Sequence, residues 1–201
     1  MDFAKTNPGY NTFVVLYAIT YIFLLRLPSE ALPMCVGPVH DVDAQSVLQY
    51  HDDRLTLHLK RRKNKPFGGT LTRTCWCAAS PKTCPIHVFG RSLCKIEKGR
   101  QMFSTINVAR ALTTLRFILG RIGVDDFRSY RTHDLRRGHI LDLQKSGAPL
   151  SKIIQEAQWK PPAFMKYVDG CLLEYDAVVQ AHMDNSSSES GSDVEGVVEL
   201  D

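Results

Sequence analysis

No apolar run in the chain is long enough to cross a bilayer. The most hydrophobic stretch, Phe13 to Leu25, is thirteen residues long, interrupted by Thr20 and closed by Arg26. As a helix it would rise only about 20 Å, against a hydrocarbon core about 30 Å thick. It also lacks the basic start and small-residue cleavage site of a signal peptide, so it reads as a buried helix and no membrane partner is expected. Six cysteines in 201 residues, two in a Cys-x-Cys pair and the rest scattered, do not form the framework of a secreted disulfide scaffold. A reducing, intracellular compartment is expected. There is no internal repeat. A zinc-protease pattern is missing too, because His133 and His139 are six residues apart, on different faces of a helix.

Basic residues are missing from the acidic C-terminal tail. Between Asp184 and Asp201 lie six acidic residues (Asp184, Glu189, Asp193, Glu195, Glu199 and Asp201) and no Lys or Arg. This tail has almost nothing to bury and is expected to be disordered. Residues 1–183 keep all 25 basic residues against the remaining 15 of the 21 acidic ones, a net charge near +10. That sign favours a polyanionic partner, with nucleic acid first in line. The length suits one domain, residues 1–183, with a substantial core.

The patterning predicts an α+β, mostly α fold with a small antiparallel sheet. Residues 12–33 read as a helix, with Asn11 or Thr12 as N-cap, a break near Pro28 and Pro33 past its end. Residues 46–76 read as β structure: Leu55, Leu57 and Leu59 alternate with Thr56 and His58. The turn Pro66-Phe67-Gly68-Gly69 then leads to a second strand around Thr70 to Trp76, making a hairpin with a positive tip. From about residue 85 the chain is expected to be helical. One stripe is Val108, Leu112, Leu115 and Leu119, another is Leu150, Ile153, Ile154 and Ala157, and a last helix starts at Pro161-Pro162.

Three tracts could carry chemistry. In Thr132-His133-Asp134-Leu135-Arg136-Arg137-Gly138-His139, His133 and Arg136 are three apart and present two donors to a single anion from one helical face. Arg137 beside them reads as a phosphate-backbone or solvent contact. Arg26 closes the apolar helix in Leu24-Leu25-Arg26-Leu27-Pro28-Ser29-Glu30, either reaching out to solvent or held inward for a ligand. The run Lys60-Arg61-Arg62-Lys63-Asn64-Lys65 is a nuclear localisation signal, a solvated turn or a DNA-contacting hairpin tip. Separately, Cys75-x-Cys77-x6-Cys84-x2-His87 has ligand types that suit zinc, at a spacing that is not that of a standard finger.

Taken in order, Arg26 with Glu30, Lys63 in a hairpin, His133-x-x-Arg136, Trp159 and Tyr167 resemble the catalytic set of the tyrosine recombinase (phage integrase) family. The wording HDLRRGH…W…AFMKYVD looks most like integrases of eukaryotic mobile elements, the crypton and DIRS types. The resemblance covers roughly residues 10–180. Two spacings depart from it: Tyr167 follows Trp159 by eight residues, and Glu30 follows Arg26 by four where three is usual.

The resemblance implies a DNA recombination and integration enzyme acting in the nucleus on double-stranded DNA, with homo-oligomers forming on the DNA. Tyr167 would be the nucleophile, giving a 3′-phosphotyrosyl intermediate. Arg26 and Arg136 would clamp the scissile phosphate, and His133 would donate to it or assist proton transfer. Trp159 would supply its indole N–H. Lys63, ahead of Lys65 and Lys60, would protonate the leaving 5′-oxygen, and Lys60, Arg61, Arg62, Lys65 and Arg137 would contact DNA. No cofactor is required by this chemistry. Family members carry a further helical domain ahead of this one; with the first helix starting within a dozen residues of Met1, that domain is expected to be absent.

Other readings stay open on sequence. Tyr167 lies beside an apolar stripe and could be a core tyrosine, with Tyr175 the next candidate nucleophile. The chain could be a catalytically inactive DNA-binding remnant, a type IB topoisomerase-like enzyme, or a zinc-dependent interaction module.

Overall fold

The structure is a computed structural model, described here for residues 6–37, 46–60, 67–78, 84, 86, 87, 89, 90, 96 and 98–157. Among these, four bounded α-helices, further helical residues at 86, 87, 89 and 90, and a four-stranded sheet make a mixed α/β architecture. Helix α1 (Asn11–Ile22) follows a single 3₁₀ turn at Pro8–Tyr10, and a π-turn spans Leu27–Ala31. The strands are β1 (Cys35–Val36), β2 (Val47–Tyr50), β3 (Arg54–Leu59) and β4 (Gly69–Thr74). Helices α2 (Val108–Arg121), α3 (Asp134–Lys145) and α4 (Leu150–Ala157) complete the described chain.

α1 is apolar nearly all round because it is the centre of the molecule, packed against both α2 and α3. Leu16, Ile19, Phe23, Leu25 and Leu27 are at most 1% exposed and join Leu48, Leu55, Leu57 and Phe103 in one core. No helix among the described residues is long and apolar enough to cross a membrane.

The strand alternation is realised in β3, where Leu55, Leu57 and Leu59 are buried and Thr56 and His58 are half-covered on the other face. There His58 bridges its neighbours, with Nδ1 3.2 Å from Thr70 Oγ1 and Nε2 3.1 Å from Gln49 Oε1. Gly68, at φ +76°, closes the β3–β4 hairpin; a Cβ at that position would lie 2.0 Å from the Leu59 carbonyl oxygen.

Several sequence expectations are corrected. The first helix does not run over 12–33: it stops at Ile22, and its N-cap is Tyr10, not Asn11 or Thr12. The sheet is mixed, because the short β1 pairs parallel with β2 while β2, β3 and β4 are antiparallel. The second hairpin strand ends at Thr74. The chain is not continuously helical from 85; residues 101–107 form a bridge to Cys35 and turns that precede α2. On α2 the buried face is Ala111, Thr114, Leu115 and Ile118, while Val108 is 42% exposed. The rotation has a cause in packing: Tyr17 Oη donates to the Ala111 carbonyl at 2.6 Å, a close approach of α1 that needs a small side chain at the contact. On α4 the expected stripe buries Ile153 and Ala157. The helix expected from Pro161 lies outside the described residues.

Candidate functional site

The end of α1 sets the geometry. Leu25 N–H donates to the Thr20 carbonyl at 2.9 Å and Leu24 N–H to the Tyr21 carbonyl at 3.1 Å, the paired bonds of a Schellman cap. Such a cap needs a left-handed residue, usually glycine. Here Leu24 fills it at φ +53°, at a cost of about 1–2 kcal/mol. Its side chain, fully buried against Ile140, Ile153 and Ala157, offsets that cost, since burying a leucine is worth about 1.5–3 kcal/mol. The reversal carries Arg26 out of the helix in an extended conformation.

Glu30, 2% exposed, then reaches back: its Oε2 accepts from Arg26 N–H at 2.8 Å, while Arg26 O accepts from Glu30 N–H at 2.9 Å and Ala31 N–H at 3.2 Å. This is a reciprocal cap on a π-turn. The wider turn takes up a separation of four residues between Arg26 and Glu30, and it fixes the backbone from which the Arg26 side chain leaves.

The second half of the site comes from the start of α3. Asp134 Oδ2 accepts from Arg131 N–H at 2.7 Å and Arg131 O accepts from Asp134 N–H at 3.0 Å, closing a tight turn. An aspartate in the first helical turn also suits the positive end of the helix dipole. His133 is the residue at the helix boundary and is exposed; Arg136, one turn in, is 2% exposed, and its Nη2 donates to the Ala157 carbonyl at 3.2 Å. Burial of part of the ring and the Arg136 charge hold the His133 imidazole below its ordinary range. Asp134 pulls the other way, and Arg26 adds to the depression. Arg26 and Arg136 therefore both act on His133, which is neutral at pH 7 and able to donate from one ring nitrogen and accept at the other.

A frame of polar contacts holds the α1 terminus against these elements. His139 stacks on Tyr21, with ring centroids 4.5 Å apart and planes at 12°, and bonds through Nδ1 to the Tyr21 carbonyl. Burial keeps His139 below its usual pKa, so the neutral ring carries its hydrogen on Nδ1 to make that bond. The Tyr21 hydroxyl donates to Asp142, and burial first, then that carboxylate, push its pKa up. Arg73 on β4 donates through Nε to the Ile22 carbonyl at 3.1 Å, pairs with Glu156 at 2.6 Å, and lies over the Phe23 ring. Cationic and donor groups thus meet the negative end of α1.

Of the residues picked out by sequence, Arg26 and Arg136 lie within electrostatic reach of His133. Arg137 is exposed beside them, and Lys60 is exposed at the end of β3. Lys63, Arg61, Arg62, Lys65, Trp159, Tyr167 and Tyr175 lie outside the described residues. Sequence reasoning missed Leu24, Arg73 and the Tyr21–His139 stack, which lacked any local signature. It also passed over Phe67, which is fully exposed at the hairpin turn; an aromatic among turn and basic residues was the available signal.

A second cluster lies just beyond β4. Cys75, Cys77, Cys84 and His87 present ligand atoms that all fall within 4.8 Å of one another, a set that could hold a metal ion.

No protein-family model matches the chain, and no curated protein and no solved structure matches it.

Proposed function

We propose that this protein cuts and rejoins DNA strands through a 3′-phosphotyrosyl intermediate, in the manner of a tyrosine recombinase. The observation that supports the reading is that both Arg26 and Arg136, far apart in sequence, lie within electrostatic reach of the His133 imidazole. Two guanidiniums that never titrate are suited to the non-bridging oxygens of a phosphodiester, where charge accumulates in the transition state. A neutral imidazole within reach of both can donate to the same phosphate or take a proton.

In the reaction Tyr167 Oη bonds to phosphorus and its proton passes to a base, His133 or water. The bond from phosphorus to the 5′-oxygen breaks, and Lys63 gives that oxygen its proton. Attack by a free 5′-hydroxyl on the phosphotyrosine reverses the sequence and rejoins a strand. Trp159 donates its indole N–H to the phosphate. The energy of the broken phosphodiester is kept in the phosphotyrosine, so the chemical step calls for no cofactor. Lys60, Arg61, Arg62, Lys65 and Arg137 contact the backbone of double-stranded DNA, on which copies of the chain assemble in the nucleus.

One observation favours a second reading, that of a DNA-binding remnant without cutting activity. Arg136 is 2% exposed and donates to a backbone carbonyl, which is how a structural arginine is used. A suicide DNA substrate separates the two. An active chain leaves a denaturation-resistant adduct that Tyr167→Phe abolishes with affinity nearly unchanged. Arg136→Ala should also stop cleavage, with a loss of about 3 kcal/mol or more of charge stabilisation, and should weaken binding as well. Absence of an adduct from the wild-type chain, with DNA still bound, gives the remnant.

A further inference from the structure

The four residues Cys75, Cys77, Cys84 and His87 come from two places. Cys75 and Cys77 follow directly on β4, and the Cys75 N–H donates to the Asp53 carbonyl at 2.9 Å, continuing the hairpin's pairing by one residue. Cys84 and His87 flank Ile86, and Cys84, Ile86 and Phe89 are buried in the main core. The two halves meet through their ligand atoms. His87 Nδ1 lies 3.0 Å from Cys77 Sγ, 3.5 Å from Cys84 Sγ and 3.8 Å from Cys75 Sγ, and the Cys84 and Cys75 sulfurs are 3.6 Å apart.

These separations can be compared with a tetrahedron. Zn–S bonds of about 2.3 Å and Zn–N bonds of about 2.0–2.1 Å put tetrahedral edges at about 3.8 Å between sulfurs and about 3.6 Å between sulfur and nitrogen. The measured edges scatter around those lengths. A disulfide does not account for them, since it would bring two sulfurs to about 2.05 Å, and all four described cysteines are free. Nor does packing of thiols as small apolar groups. Cys75 and His87 are exposed, so burial is not what turns their ligand atoms toward the other two. Three soft sulfurs and an imidazole select zinc among the common divalent ions.

We infer that Cys75, Cys77, Cys84 and His87 bind one zinc ion in a closed, structural site. With four protein ligands no position is left for water or substrate, so the ion does not act as a Lewis acid. It ties the chain leaving β4 to the helical segment at His87 and so fixes the base of the β3–β4 hairpin against the core. Thiolate ligation releases protons, so retention of the ion weakens on acidification. The inference is independent of the strand-cleavage reading, and either can fail without the other.

The test uses the full chain, purified reduced and without chelator. Elemental analysis should return one zinc per chain, and cobalt(II) in its place should show thiolate charge-transfer and tetrahedral ligand-field absorption. Cys75→Ser, at an exposed position where folding is least at risk, should lose the cobalt thiolate intensity in part and weaken zinc binding by more than about 100-fold, beyond what loss of an outer-shell partner costs. Cys35→Ala, at a buried cysteine in β1, should leave both unchanged. Chelation should lower the melting temperature of the wild type and increase protease cutting after residue 74. A folded, reduced wild type that neither contains nor takes up zinc or cobalt would overturn the inference, as would Cys75→Ser with unchanged stoichiometry and affinity. A Cys75–Cys84 disulfide in anaerobically purified, metal-free protein would replace it with a redox pair.

Discussion

Arg73 Nη1 on β4 and Glu156 Oε2 on α4 stand 2.6 Å apart, and the same guanidinium donates through Nε to the last carbonyl of α1. One side chain thereby joins the sheet, the terminus of the central helix and the last described helix. Its side chain is only 13% exposed and that of Glu156 is 32% exposed, so the pair is shielded more than a surface bridge. Arg73→Ala should cost about 1–3 kcal/mol in urea unfolding. Arg73→Lys should recover little, because a lysine cannot serve the carbonyl and the carboxylate at once. A double-mutant cycle with Glu156→Gln should give a coupling above the roughly 0.2–1 kcal/mol of exposed pairs. Coupling within that range would mean the bond to Ile22 carries the effect.

Leu24 offers a test of strain against burial. Leu24→Ala removes the side chain packed on Ile140, Ile153 and Ala157 while keeping the left-handed backbone, and should cost about 2–5 kcal/mol. Leu24→Gly loses the same contacts but relieves the strain, so it should be the more stable of the two by about 1 kcal/mol. Helical positions give the reverse order. Thermal melts of the two variants decide it.

Acidification should unfold the protein through its histidines. His133 and His139 both have folded pKa values below the ordinary value, which is about 6.5. Their contribution to stability is complete above about pH 6.5. It is lost as pH falls through the window down to the depressed values, because there the unfolded chain binds more protons. Unfolding free energy should therefore decline on acidification below that pH, and His139→Gln should flatten part of the slope. On the proposed function, a DNA phosphate would supply a counter-charge beside the His133 ring. Binding should raise its pKa and take up protons, seen by NMR titration of the ring or as a buffer-dependent binding heat. An unmoved His133 resonance in the DNA complex would place the phosphate elsewhere.

Association with duplex DNA should depend steeply on salt. With residues 1–183 near +10, affinity should fall at least several-fold between low and physiological salt as counterions are released. Deleting residues 184–201 should tighten binding, since its six carboxylates repel phosphate. A fluorescence titration without binding at low salt would exclude a nucleic-acid partner.

Much of the architecture could be read from local pattern. Alternating leucines at 55, 57 and 59 specify a half-buried strand, and the glycine needed at 68 follows from the turn. An apolar run from Phe13 specifies a central helix. The buried face of α2 was legible in part: Leu115 is buried and Leu119 packs against the core, but the face turns toward Ala111, whose carbonyl accepts from Tyr17 of α1, and leaves Val108 exposed. The parallel pairing of β1 escaped as well, since two residues carry no periodicity.

The candidate site divides in the same way. Sequence by itself determined which groups are present: His133 and Arg136 three apart, an arginine closing an apolar segment, four zinc-type ligands and an acidic tail. These follow from residue identity and spacing alone. Only the tertiary structure decided where α1 ends, because a leucine takes a left-handed conformation solely when its side chain gains a buried pocket from α3 and α4. That reversal is what carries Arg26 out of the helix, within electrostatic reach of His133. The convergence of Cys75 and Cys77 with Cys84 and His87 likewise exists only in the folded chain, which brings the segment after β4 to the core-buried Cys84. Contacts between distant segments depend on burial summed over the whole chain, and no local window of sequence contains that sum.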